Sequence, residues 1–180
     1  MDTYFIVDAS HLFRAGDLYA SQIYVIDVVN YLCQNVFNCT MKDTWVLFGS
    51  TKDSQSKSYT QAVEKTGIHV VRMVPIDSRV HPGSKFYKPS MYLHPLFEVI
   101  PKGSQVIFIG FHNTRFEDLF RSYTKDYHLS LCAFTTKSRS NHDMAIPEKF
   151  HQILERTICL DNHIDGIKAL YAQTREASHE

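Results

Sequence analysis

Polar side chains that could do chemistry follow directly on apolar runs of this sequence. Asp8 closes the run that begins at Tyr4, and Ser10 and His11 come next. A carboxylate in this position can bind a hard divalent cation such as Mg²⁺ or Mn²⁺, or it can accept a backbone N–H and cap a helix. Both interpretations of Asp8 stay open, and Ser10 is favoured as the cap of a helix over residues 11–16.

Three histidines form a second group of candidates. His11, His94 and His112 could converge if their segments meet, and Asn113 directly follows the last of them. Such a set of imidazoles can bind a phosphate or a softer metal ion such as zinc. The favoured interpretation is three unrelated, partly exposed histidines, because no orienting partner can be named for any of them from the sequence.

Cationic and aromatic side chains in loops and at helix starts form a third group. They are Arg14, Arg79, Lys85, Tyr87, Lys88, Arg115, Lys137 and Arg139. If they share one rim, the cations can contact phosphates and the aromatic ring can stack on a base. Ordinary surface charge is the favoured alternative, since 19 basic and 19 acidic residues give a net charge of +0 and provide no bulk attraction for nucleic acid.

These candidates need a scaffold, and the apolar pattern predicts one in which strands alternate with helices. The predicted strands cover residues 4–7, 44–48, 68–74, 106–109 and 129–134, and a short sixth strand is indicated at 157–160. The predicted helices cover residues 11–16, 21–37, 53–65, 90–99, 114–125, 147–156 and 163–175. We therefore expect an α/β fold of three α/β/α layers around a central, mainly parallel sheet of five or six strands.

Two consequences of this scaffold concern particular residues. Ligands of such sheets bind outside the carboxyl ends of the strands, so the residues directly after each strand are those to consider for function. Pro95 lies inside the predicted helix 90–99 and is expected to break or kink it. Glu117 and Asp118 fall in the first turns of another predicted helix, where acids interact favourably with the helix dipole.

Length and composition are those of one globular domain. The 180 residues predict a single domain over 1–180, with 157–180 as a C-terminal extension. No apolar run approaches the ~20 residues of a membrane span, and the N-terminus lacks the pattern of a signal peptide, so no membrane partner is expected. The four cysteines have no metal-binding spacing, which favours free thiols in a reducing, cytoplasmic compartment.

Several segments, taken in order, resemble the NYN branch of the PIN-like nucleases. They are a first strand ending in Asp8, the segment Val-Leu-Phe-Gly-Ser at 46–50, the unit from Gly67 to Val74, the strand at 106–109 with Gly110, Phe116 and Leu119 after it, and the segment 146–150. The resemblance covers about residues 3–155. It implies a PIN-like, Rossmann-like fold and the cleavage of RNA by divalent ions that several carboxylates hold.

This sequence departs from that family at most of the acidic positions. The resemblance places Lys88 and His94 where the family has acids, and Gly-Phe-His-Asn at 110–113 where it has a Gly-Asp-x-Asp turn. Asp8 remains, and Glu148 matches the last acid of the family. Lys88 could pair with Asp8 and occupy the space of a metal ion, or contact a phosphate, but a solvated loop lysine is the favoured interpretation.

Three functions follow as hypotheses. The first, which we favour, is a catalytically degenerate PIN/NYN-like domain that binds RNA or single-stranded nucleic acid and needs no cofactor. The second is an active, Mg²⁺- or Mn²⁺-dependent endoribonuclease in which Asp8 is joined by other acids. Those acids would come from Glu117, Asp118, Asp143 and Glu148. The third is an assembly subunit that uses the fold to bind a protein partner or a second copy of itself.

Overall fold

The computed structural model describes residues 1–49, 54–77, 85–135 and 145–177. The strands in these residues are β1 (Thr3–Asp8), β2 (Met41–Phe48), β3 (His69–Arg72), β4 (Ile76–Asp77), β5 (Lys85–Phe86), β6 (Gln105–Ile109), β7 (His128–Ala133) and β8 (Arg156–Cys159). Six of them form one sheet in the order β3-β2-β1-β6-β7-β8, and every neighbouring pair is parallel. The short strands β4 and β5 pair antiparallel with each other. The parallel six-stranded sheet confirms the predicted fold class.

Helices connect the strands of the sheet. They are α1 (Ala9–Leu18), α2 (Val25–Asn35), α3 (Ser54–Glu64), α4 (Ser90–Val99), α5 (Glu117–Tyr123), α6 (Glu148–Ile153) and α7 (Ile164–Ala177). Two 3-10 turns, Thr114–Phe116 and Leu160–His163, precede α5 and α7. Each predicted element is present, and the largest difference is in the helix predicted at 21–37, which begins only at Val25.

Two hydrophobic cores lie on opposite faces of the sheet and define its three layers. Side chains alternate along a strand, so Phe5 and Val7 of β1 face one layer while Tyr4 and Ile6 face the other. The first core contains residues of α1, α2, α3 and α7. The second contains residues of α4, α5 and α6. Because both faces are covered, the central strands are apolar along nearly their whole length.

Pro95 lies inside α4, and the helix continues through it from Ser90 to Val99. The expected break at this position is therefore wrong. A proline has no N–H to offer the carbonyl of the residue four positions earlier, which here is Met91. Both residues are exposed, so water can satisfy that carbonyl.

The C-terminal part of the chain belongs to the same sheet and to its first helical layer. β8 pairs parallel with β7, from Ser130–Arg156 to Ala133–Cys159. α7 packs against α2, and Ile167 of α7 is buried in the first core. Over the described ranges of the chain, no helix has both the length and the apolar character that crossing a bilayer would require.

Candidate functional site

The strand order creates a crevice between β1 and β6. β2 and β3 lie on one side of β1, whereas β6, β7 and β8 lie on the other. The helix that follows β1 packs on one face of the sheet, and the helix that follows β6 packs on the opposite face. The two helices therefore lie on opposite faces of the sheet at this pair of strands, and doubly wound sheets bind their ligands at such a place.

Asp8, the last residue of β1, caps α1. Its Oδ1 accepts hydrogen bonds from the backbone N of Ser10 at 3.1 Å and from the Ser10 hydroxyl at 2.7 Å. The prediction that Ser10 is the cap is wrong, because α1 begins at Ala9 and Asp8 occupies the capping position. A carboxylate there satisfies an N–H of the first turn, which would otherwise lack a partner.

Gly110, directly after β6, brings the end of that strand against the start of α1. Its φ of +86° lies in the left-handed region, which favours glycine. A Cβ at this position would lie 2.9 Å from the Cβ of Asp8 and 3.0 Å from the Cβ of His11. The next residue, Phe111, also has a positive φ of 59°. The backbone that follows β6 is thus folded tightly against the residues that follow β1.

His11 and His112 meet at this crevice, so the favoured interpretation of unrelated, partly exposed histidines is wrong for these two. Their ring centroids are 5.1 Å apart and the rings are inclined at 70°. His11 is 1% exposed, and its Nε2 accepts a hydrogen bond of 2.9 Å from the backbone N–H of Phe134. Because Nε2 is the acceptor, the proton of the neutral ring is inferred to lie on Nδ1. That Nδ1 is buried and has no hydrogen-bond partner within the described residues.

The environment of His11 keeps its imidazole neutral. Burial lowers the pKa of His11 to about 3, with further lowering from His112 and Arg14 and an opposing effect from Asp161. Because Nε2 already accepts from Phe134, such an imidazole offers a donor at Nδ1 but no positive charge at physiological pH. Positive charge at the crevice must come from other side chains.

Asp161 fixes the end of β7 beside His11, and sequence reasoning missed it. Its Oδ2 accepts hydrogen bonds from the backbone N of Thr135 at 2.6 Å, from the Thr135 hydroxyl at 3.1 Å and from the Cys159 thiol at 3.2 Å. The hydroxyl of Tyr19 donates to its other oxygen. Asp161 directly follows the strand predicted at 157–160, so the strand-end rule, applied to that last strand, would have found it.

Three cations lie exposed near the carboxyl ends of the strands. Arg14 is on α1 after β1, Lys88 precedes α4, and Arg115 is in the 3-10 turn after β6. In the part of the chain that the structure describes, none of the three takes part in an ion pair. Tyr87, beside Lys88, lies 3.3 Å from the place that a Cβ on Gly49 would occupy. Because Gly49 directly follows β2, this contact places Tyr87 and Lys88 near the end of that strand.

The side chains of four of the predicted cations lie outside the described part of the structure. Arg79, Lys137 and Arg139 lie outside the described residues. Lys85 is the first residue of β5, and only its backbone is described.

Two contacts that the sequence left open as less favoured alternatives do not form. Asp8 and Lys88 make no ion pair with each other among the described residues, so their pairing is wrong. His94 is exposed on α4, where its Nδ1 lies 2.7 Å from the hydroxyl of Tyr123. No described ring contact or hydrogen bond joins His94 to the other two candidate histidines. Asn113 caps the 3-10 turn by accepting from the backbone N of Arg115 at 3.0 Å.

The remaining candidate acids are at helix starts. Glu117 begins α5 and accepts from Lys149 and Arg121, both at 3.1 Å, and these two bonds hold the pKa of its carboxyl below the usual range. Glu148 is exposed in the first turn of α6. Over residues 1–49, 54–77, 85–135 and 145–177, no three His, Cys, Asp or Glu side chains converge as a metal-ligand set. Asp143 lies outside those ranges.

Comparisons with known proteins define the class of fold. No protein-family model and no curated protein sequence matches the chain. Among solved structures, it is similar to the crystal structure of a protein of unknown function from Vibrio parahaemolyticus, with a TM-score of 0.64 and 10% sequence identity. The match covers 88% of this chain and 93% of that one. The chain is thus a three-layer, Rossmann-like α/β protein, and at this identity the likeness concerns the fold alone.

Proposed function

We propose that this chain is a PIN/NYN-like domain with an incomplete carboxylate set that binds RNA or single-stranded nucleic acid. The binding surface is the carboxyl edge of the sheet, which we define by Arg14, Tyr87, Lys88, His112 and Arg115. The observation that carries the proposal is that three exposed cations on three separate segments flank this edge without an ion-pair partner among the described residues.

The physical basis is the attraction between these cations and phosphates. A cation that contacts a phosphate releases a condensed counterion, and for single strands the binding constant then falls with added salt with a log–log slope of about −0.7 per phosphate. Three contacts predict a slope of about −2. Tyr87 supplies a ring on which a base can stack, a contact that tolerates many sequences.

At the opposite, amino edge of the sheet, three basic side chains already face carboxylates. There, an ion pair joins Lys102 to Asp126 at 3.7 Å, and hydrogen bonds join His69 to Asp43 at 2.9 Å and His128 to Glu155. A cation that already faces a carboxylate gains less from a phosphate, because that carboxylate repels the approaching anion. With a net charge of +0, affinity for nucleic acid must come from a local surface, and the carboxyl edge supports such a surface best.

The test is a titration of a short, fluorescently labelled single-stranded RNA, followed by anisotropy at several salt concentrations. The test variant combines Arg14→Ala, Lys88→Ala and Arg115→Ala. The control variant removes the same amount of charge from the amino edge, where three exposed lysines precede or begin strands. It combines Lys42→Ala, Lys102→Ala and Lys125→Ala.

We expect the test variant to lose at least tenfold in affinity and to bring the salt slope close to zero. The control variant should keep the wild-type affinity and slope. Equal losses in both variants, or no binding by the wild type at low salt, would contradict the proposal. RNA cleavage in Mn²⁺ that Asp8→Asn abolishes would instead favour the active nuclease.

A further inference from the structure

Two cysteines whose spacing in the sequence predicts no pairing lie next to each other. Cys33 is in the last turn of α2, and Cys39 lies in the connection between α2 and β2. The Sγ atoms are 3.6 Å apart, and the Cys39 thiol donates to the Cys33 sulfur. All four cysteines of the chain are free thiols in this structure. Neither cysteine belongs to the carboxyl edge, so the proposed binding of nucleic acid does not account for the pair.

The backbone produces this approach. α2 ends where the backbone N–H groups of Val36 and Phe37 both donate to the carbonyl of Leu32, at 3.1 and 2.8 Å. Asn38 then takes a positive φ of 47°, a conformation that asparagine tolerates better than most residues. The chain turns back, and the backbone N–H of Cys39 donates to the carbonyl of Cys33 at 3.0 Å. The nearness of the thiols is thus a consequence of the helix end rather than of flexible side chains.

The two thiols differ in accessibility. Cys33 is 8% exposed, whereas Cys39 is only half-buried. Burial, together with the hydrogen bond from Cys39, raises the pKa of Cys33 to about 12. A small oxidant therefore reaches Cys39 first, and Cys33 is placed to react second.

We propose that Cys33 and Cys39 are a redox pair that closes an intramolecular disulfide on reaction with a low-molecular-weight disulfide such as glutathione disulfide. The Cys39 thiolate attacks one sulfur of glutathione disulfide, which forms a mixed disulfide and releases one glutathione thiolate. Cys33 then gives up its proton to solvent and attacks the Sγ of Cys39, which breaks the mixed disulfide and releases the second glutathione. The protein loses two protons and two electrons, and these convert one glutathione disulfide to two glutathione molecules.

The other two cysteines serve as internal controls. Cys132 is 0% exposed in β7, and burial raises its pKa. Cys159 is half-buried like Cys39, but its thiol contacts Thr135 and Asp161. No described thiol other than the Cys33–Cys39 pair has a sulfur partner. Cys159→Ser is therefore the matched control for Cys39→Ser.

The test treats the full, folded chain with excess glutathione disulfide, blocks the remaining thiols by alkylation and identifies the products by mass spectrometry. We expect the wild type and Cys159→Ser to lose two hydrogens and to yield linked peptides that contain Cys33 and Cys39. Cys33→Ser should instead accumulate a stable glutathione adduct on Cys39, and Cys39→Ser should form no internal disulfide. Circular dichroism of each variant before treatment confirms that it is folded.

Two results would overturn the redox pair. One is a glutathione adduct on Cys39 that persists in the wild type as it does in Cys33→Ser. The other is a disulfide that joins Cys39 to Cys132 or Cys159, since this requires the protein to unfold or to associate before it reacts.

Discussion

Replacement of Gly110 by alanine tests whether the segments after β1 and β6 meet as tightly as the structure shows. The new Cβ would lie 2.9 Å from the Cβ of Asp8 and 3.0 Å from the Cβ of His11. Both of these Cβ atoms are bonded directly to the backbone, so neither can move aside unless its backbone moves as well. We expect Gly110→Ala to destabilise the fold through both the strained φ and this overlap.

A second glycine allows the two effects to be separated. Gly103 has the same φ of +86°, but nothing lies within 4 Å of the Cβ it would receive. Alanine in the left-handed region costs roughly 1–2 kcal/mol, which is the whole cost expected for Gly103→Ala. Overpacking adds about 1–3 kcal/mol at a crowded site, so Gly110→Ala should lose about 2–5 kcal/mol in total. The difference between the two variants, about 1–3 kcal/mol, measures the overlap alone.

Urea denaturation of the wild type and both variants, followed by circular dichroism, measures these losses. The free energy of unfolding is compared at a common m-value, because an altered m-value would indicate a change in compactness instead of stability. Equal destabilisation by the two substitutions would refute the tight contact between Gly110, Asp8 and His11. The geometry of the crevice would then be incorrect.

Three further predictions concern His11, the helix cap at Asp8 and the Cys33–Cys39 pair. The pKa of His11 is about 3 in the folded chain, below its value of about 6.5 in the unfolded chain. As the pH drops, the unfolded chain therefore binds the proton first. The free energy of unfolding should fall between about pH 6.5 and pH 3, by up to about 1.4 kcal/mol per pH unit. His11→Gln should lack this contribution, which is visible as a smaller difference between the unfolding free energies measured at pH 7 and pH 5. Asp8→Ala should cost about 1 kcal/mol in urea denaturation, whereas Asp8→Ser should retain most of that stability because serine also caps helices; an equal loss in both would contradict the capping role. The Cys33–Cys39 disulfide, which closes a short loop, should raise the free energy of unfolding by about 2 kcal/mol over the reduced protein, and no increase would show that the bridge strains the native fold.

The sequence predicted the fold because its apolar pattern leaves few alternatives. The run from Tyr4 to Val7 is apolar on both faces of the strand, as a strand buried between two helical layers must be. Helices with apolar residues at helical spacing follow each strand, and only a parallel sheet covered on both sides satisfies this alternation. The arrangement of six parallel strands confirmed this.

The details of the site depended on contacts that the sequence does not encode locally. Asp8 and Ser10 are both good capping residues, so a two-residue difference in the helix start could not be decided from residue type. The partner of His94 is Tyr123 on a different helix, and the network around Asp161 exists only because β8 pairs with β7. Such contacts follow from tertiary packing, and so does the meeting of His11 and His112, which the sequence left as the less favoured alternative to unrelated histidines.

The most direct test of nucleic-acid binding at the carboxyl edge is photo-cross-linking of the wild-type protein to a short RNA that contains 4-thiouridine, with the adducts located by mass spectrometry. We expect adducts on the peptides that contain Tyr87 and Lys88 and on those that contain His112 and Arg115. Adducts confined to peptides from the amino edge, which carry Lys42, Lys102 or Lys125, would contradict it.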